Sequence, residues 1–134
     1  MKMYAVITVM LVCVLLTSCK DGGSSTAIDV TLTDFQFTPN SFTIMAGREI
    51  TINAVNNGVV EHEFAILKFG ADAGDEFDEE DKQNIYWEVK VPAGQSVTLT
   101  FTAPSVPGEY SVVCGIQGHL MAGMVGKLTV IAGE

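Results

Sequence analysis

Gly108-Glu-Tyr-Ser-Val-Val-Cys114-Gly-Ile-Gln-Gly-His119-Leu-Met-Ala-Gly-Met124-Val-Gly-Lys-Leu-Thr-Val130 reads as two short strands joined by a glycine-containing loop. The first strand ends at Cys114, and alternation of β-branched residues resumes near Met124. One loop therefore carries a thiol, an imidazole and a thioether at the spacing C-x4-H-x4-M. Its glycines let the backbone turn tightly enough for the three side chains to converge.

That set has a chemical meaning. Thiolate and thioether favour Cu(I), and imidazole suits both copper oxidation states. Two imidazoles and a thiolate in one plane, with a weak axial Met, is the arrangement of electron-transfer copper. The loop supplies one His, and the chain holds only one other, His62. It opens the apolar run His62-Glu-Phe-Ala-Ile-Leu, just after the turn Asn56-Asn57-Gly58. The candidate metal ligands are thus His62, Cys114, His119 and Met124, around one copper ion.

Outward from this loop, alternating runs recur at 28–35, 42–46, 49–55, 62–67, 85–91 and 96–101. Pro39-Asn40, Ala46-Gly47, Pro92-Ala93-Gly94 and Pro107-Gly108 break them. About eight short strands with regular turns predict an all-β antiparallel sandwich or barrel over residues 28–134. Residues 70–84 depart from this pattern. They hold seven acidic side chains around Phe77 and read as an exposed loop with room for one helical turn. The oxygens do not fall at EF-hand spacing.

The N-terminus reads as a leader. Lys2 precedes an uncharged apolar run from Tyr4 to Leu16, too short to cross a bilayer. It ends in Leu16-Thr17-Ser18-Cys19, which resembles a bacterial lipobox. That resemblance implies removal of residues 1–18, lipid attachment at Cys19, a flexible spacer over 19–27, and an exported domain tethered on the periplasmic or cell-surface side. Cys13 belongs to the leader and Cys19 to the lipid, so Cys114 alone is left for the fold, and a leftover thiol needs a reason. The formal charge of −9 argues against nucleic acid and permits a basic partner.

Beyond the ligand loop, Asp34-Phe-Gln-Phe-Thr-Pro39, Asn57-Gly58 ahead of His62, and Gly108-x-Tyr110-x3-Cys114-x4-His119-x4-Met124-x-Gly126 together resemble the cupredoxins, the small blue-copper proteins. The resemblance covers about residues 28–132, and the ligand loop is most similar to that of auracyanin. It implies a Greek-key β-sandwich, one type 1 copper and one-electron transfer without catalysis of bond making. Two positions depart from the family pattern: Glu63 and Gly115 stand where many members carry Asn and Ser or Thr, which bond to each other and lock the site.

Further expectations follow. Leu120, Met121 and Ala122 are expected to form an apolar docking patch beside His119 for a basic, cytochrome-like redox partner. Glu61 and Glu63 are expected to be solvated, and the protein to be a monomer. The rival role for the same ligands is copper trafficking or storage. A thiol enzyme pairing Cys114 with His119 lacks a third residue to orient the His.

Overall fold

The structure, a computed structural model, describes residues 24–133. The expected leader and Cys19 lie outside the described residues. The described residues form nine strands: β1 (Ala27–Thr33), β2 (Gln36–Thr38), β3 (Ser41–Met45), β4 (Glu49–Asn56), β5 (His62–Leu67), β6 (Ile85–Val91), β7 (Ser96–Thr102), β8 (Gly108–Val113) and β9 (Val125–Ile131). They make two sheets, ordered β2-β1-β4-β7 and β3-β9-β8-β5-β6. The sandwich is as expected from the alternating runs, with three differences.

The run at 28–35 is two strands, because the chain reverses at Asp34-Phe35 and β2 folds back antiparallel on β1. Two pairings, β1 with β4 and β3 with β9, are parallel rather than antiparallel. The chain crosses between sheets after β2 and again after β3, so these neighbours arrive running in the same direction. The ordered domain also begins before residue 28: Ser25 bridges Ile44, and the Thr51 N–H donates to the Thr26 carbonyl.

Alternation builds the core. In β1 every second residue (Ile28, Val30, Leu32) points inward, and in β4 Ile50, Ile52 and Ala54 do the same. They meet Phe64, Ile66, Val112, Leu128 and Val130 from the other sheet. Burying each large aliphatic or aromatic side chain contributes about 1.5–3 kcal/mol. Phe37 and Phe42 both pack edge-on against Phe64, with centroids 5.4 and 5.5 Å away.

β5 is buried on both faces, which alternation alone does not predict. The segment 68–84 explains it. Its carboxylates are mostly exposed, but Ala73 and Phe77 pack over the outer face of the sheet against Ala65, Leu67, Val113 and Leu120. The one helical turn is α1 (Glu79–Lys82), closed by a capping box in which Asp78 accepts from Glu80 N–H and Asp81 N–H, while the Asp81 carboxylate accepts from Asp78 N–H. The acidic segment is therefore a lid with a solvated outer side.

The pairings place the ends of β1, β4, β6 and β8 and the starts of β3, β5, β7 and β9 at one pole of the sandwich. His62, Cys114 and the loop from 115 to 124 gather there. Among the described residues, no helix is long and apolar enough to cross a membrane.

Candidate metal centre

Cys114 follows the last residue of β8, and Met124 precedes the first of β9. The loop between them is stitched by its own backbone. His119 N–H donates to Ile116 O (3.0 Å), Gly123 N–H to Leu120 O (2.8 Å) and Met124 N–H to His119 O (3.1 Å). Cys114 N–H donates to Met124 O (3.2 Å) and closes the loop. Gly118 and Gly123 take φ of 83° and 95°, a region that side-chain-bearing residues avoid.

His62, the first residue of β5, points inward. Its Nδ1 lies 3.2 Å from Nδ1 of His119, and the Cys114 sulfur lies 3.3 Å from that same His119 nitrogen. The three ligand atoms all fall within 4.8 Å of one another, and all three residues are buried. Met124 is fully buried in the same core cluster as Cys114. All four residues expected from the sequence thus lie in one region of the fold.

Three residues that sequence reasoning did not assign complete the surroundings. The Asp34 carboxylate sits 2.7 Å from His62 Nε2. A carboxylate only accepts, so Nε2 carries the proton and Nδ1 keeps its lone pair toward Cys114 and His119. Asp34 is held below its usual pKa by Val59 N–H first and by His62 second, so it stays ionised. Asn56 is fully buried, and its amide donates to Val60 O and Val91 O (2.8 Å each) while its oxygen accepts from Gly58 N–H (2.8 Å). It fixes the approach to His62. Phe35 lies edge-on to His119 with centroids 4.6 Å apart, and shields it from one side. The signal for Asp34 and Phe35 was present in Asp34-Phe-Gln-Phe-Thr-Pro39, but their roles depend on a contact between sheets.

The electrostatics suit a soft metal. Burial, and then the neighbouring His62, push the His119 pKa down, which favours the neutral ligand form. Burial pushes the Cys114 thiol up, opposed by backbone N–H groups of Glu63 and Ile116. Glu63 N–H lies 3.3 Å from the sulfur. A metal that takes the thiolate therefore displaces a proton.

Glu63 is not solvated, contrary to expectation. It is 4% exposed, because the lid covers the outer face of β5. Desolvation and a proton shared with Glu88 raise its pKa to about 7, while Gly115 N–H opposes the rise. A side chain on residue 115 would collide with the Glu63 carboxylate and come within 3.1 Å of the Phe77 ring. The Glu63 carboxylate lies instead against the backbone of Gly115. Glu61 is exposed, as expected.

The expected docking patch also changes. Leu120 is 6% exposed and packs under the lid in the cluster of Phe77 and Val113, so it is not available to a partner. Met121 and Ala122 are exposed. Phe35, Val59 and Val60 add exposed apolar surface at the same pole.

The sequence profile of the cupredoxin-like domain matches residues 6–130. The chain belongs to the cupredoxin-like family. This cupredoxin is 31% identical to auracyanin-A of Chloroflexus aurantiacus, over 97% of this chain and 96% of that protein. Auracyanin-B of the same organism is 28% identical over 70% of the chain, which spans only 46% of its length. The copper-resistant cuproprotein CopI of Rubrivivax gelatinosus is 32% identical over 71% of the chain and 59% of that protein. Among solved structures, reduced auracyanin from Roseiflexus castenholzii superposes with a TM-score of 0.69 at 30% identity, covering 81% of this chain and 99% of that one. The thiolate, two imidazoles and thioether of this cupredoxin fit one type 1 copper ion, and copper is its cofactor.

Proposed function

We propose that this cupredoxin carries single electrons between protein partners outside the cytoplasm, held to a membrane by lipid on Cys19. The observation that supports the carrier role is the convergence of His62, Cys114 and His119 within 4.8 Å, with Met124 buried beside them. When bound, copper supplies a one-electron couple between Cu(II) and Cu(I). The chain's own residues hold one geometry for both states. The sheet and the stitched loop fix the donors, Asp34 fixes the His62 tautomer, and Phe35 limits water at His119. Little rearrangement then accompanies each electron.

His119 is the ligand nearest the surface, 9% exposed beside Phe35 and Met121. An apolar partner surface meeting Phe35, Val59 and Met121 brings its own redox group close to that ring. The exposed carboxylates of the lid favour a basic, cytochrome-like partner, by raising its encounter rate rather than its affinity.

Loading the protein with one equivalent of Cu(II) tests the carrier reading. Intense visible absorption, a type 1 EPR signal and reversible voltammetry are expected, and Cys114→Ser should abolish the absorption. Retention of the same colour by that variant would refute the assignment. Copper handling is the second reading, and the likeness to CopI favours it. A colourless protein that binds only Cu(I) and gives no reversible wave would establish that reading instead.

A further inference from the structure

We propose that the pole opposite the metal rests on the bilayer surface, with Phe69, Tyr86 and Val106 set among the lipid headgroups. The proposal rests on the lipid-anchor reading of Cys19 and adds an orientation to it. These three side chains are 57%, 41% and 49% exposed. They border one groove of about 430 Å³, together with Lys68, Pro104 and Tyr110. Phe69 packs tilted against Tyr110, with centroids 5.4 Å apart, so the apolar surface is held in place. The Tyr86 hydroxyl donates to Thr102 O at 2.8 Å and presents its ring outward. Exposed apolar side chains beside a tyrosine ring and a long basic side chain suit the layer between water and hydrocarbon.

The path of the chain selects a bilayer as the occupant. The described chain starts at this same pole, where Ser25 bridges Ile44 and Ala27 pairs with Thr51. Four residues separate Cys19 from Ser24, five chain steps in all. Fully extended, they reach at most about 17 Å. A seven-residue strand such as β9 is roughly 23 Å long. The tether is therefore shorter than the sandwich is tall. A lipid on Cys19 brings the groove to the surface and keeps the metal pole away from it.

Charge agrees with this orientation. No carboxylate borders the groove. Lys68 is the charged residue that borders the groove, and Glu109, outside it, is paired with Lys127 at 2.8 Å. An anionic bilayer meets no net acidic barrier at this pole.

The test uses the full-length, copper-loaded lipoprotein in phosphatidylcholine–phosphatidylglycerol vesicles, with or without bromine on the acyl chains. Tryptophan is introduced singly, in a Trp87→Phe background that removes the native one, as Val106→Trp, Phe69→Trp or Val59→Trp, the last at the metal pole. The ratio of emission in brominated and plain vesicles cancels quenching by copper. Quenching at 106 and 69 at least twofold stronger than at 59 is expected. Two tryptophan sites at the groove keep the test informative if one variant misfolds. Equal quenching at all positions, or none, overturns the proposal, as does a blue shift at 106 that depends on protein concentration and not on lipid, which marks a second copy in the groove. Mass analysis of the N-terminal fragment separates the two readings: an unmodified Cys19 overturns both, whereas a modified Cys19 with equal quenching overturns only the orientation.

Discussion

Replacing Asn56 with Ala removes three hydrogen bonds from a buried side chain: one donated to Val91 O in the interior, and two half-buried ones, donated to Val60 O and accepted from Gly58 N–H. Alanine leaves those three backbone groups without partners. Each net hydrogen bond contributes about 1 kcal/mol, and each stranded buried group costs about 1–3 kcal/mol. Some are relieved by water entering the loop, so the expected loss is about 3 kcal/mol. For a domain of this size that lowers the melting temperature by roughly 10–15 °C. Asn53 is the control, because it lies on the same strand, donates to the Asp29 carboxylate at 2.7 Å and accepts from Thr98 at 3.0 Å, but in solvent. Asn53→Ala should cost less than about 0.5 kcal/mol. Urea unfolding of both variants, with copper removed, measures the difference. A loss under about 1 kcal/mol for Asn56→Ala, or one equal to that of Asn53→Ala, would refute the argument that burial makes these bonds matter.

Asp34→Ala should weaken copper binding about 10–100-fold, read by competition with a chromophoric Cu(I) chelator. Asp34→Asn keeps an acceptor for His62 Nε2 and should lose less; equal losses would mean that charge matters and orientation does not. In the copper-free protein, Glu63 titrates near 7 when folded against 4.5 in the reference state. Folded chains then bind more protons between those values, so this group's contribution is present at low pH and is lost as pH rises through 7, by on the order of 2 kcal/mol. Glu63→Gln should flatten that decline in urea midpoints taken at pH 5 and pH 8; parallel curves for the two proteins would show the carboxyl already ionised at pH 5. Gly115→Ala should cost about 1–3 kcal/mol by overpacking. Adding Glu63→Ala should restore part of it, and strict additivity in a double-mutant cycle would rule out the contact.

The parts legible in the sequence were those carried by local pattern or scarce chemistry. Alternation in 49–55 and 125–131 gave the strands and their inward faces. Two histidines and a single available cysteine left few ways to assemble a copper site. What was illegible depended on contacts between distant segments. Glu63 and Leu120 looked exposed because alternation shows which face of a strand a residue occupies, but not whether an insertion covers that face. Phe77, alone among carboxylates, was the one sign that residues 70–84 press on the sheet. Asp34 and Asn56 read as ordinary turn residues, since their partners lie up to 35 positions away. The reversal at Asp34-Phe35 was hidden because both flanking runs alternate.

Asp34 belongs to the turn between β1 and β2, in one sheet, while the imidazole it orients belongs to β5 in the other. The distance between those sheets is set by packing deep in the interior, where Phe37 of β2 bears on Phe64 of β5. A change in girth there would lengthen the Asp34–His62 contact without touching a ligand. Colour and redox behaviour then become a strain gauge for the interior: trimming Phe37 to Leu should register in the spectrum before it registers as unfolding.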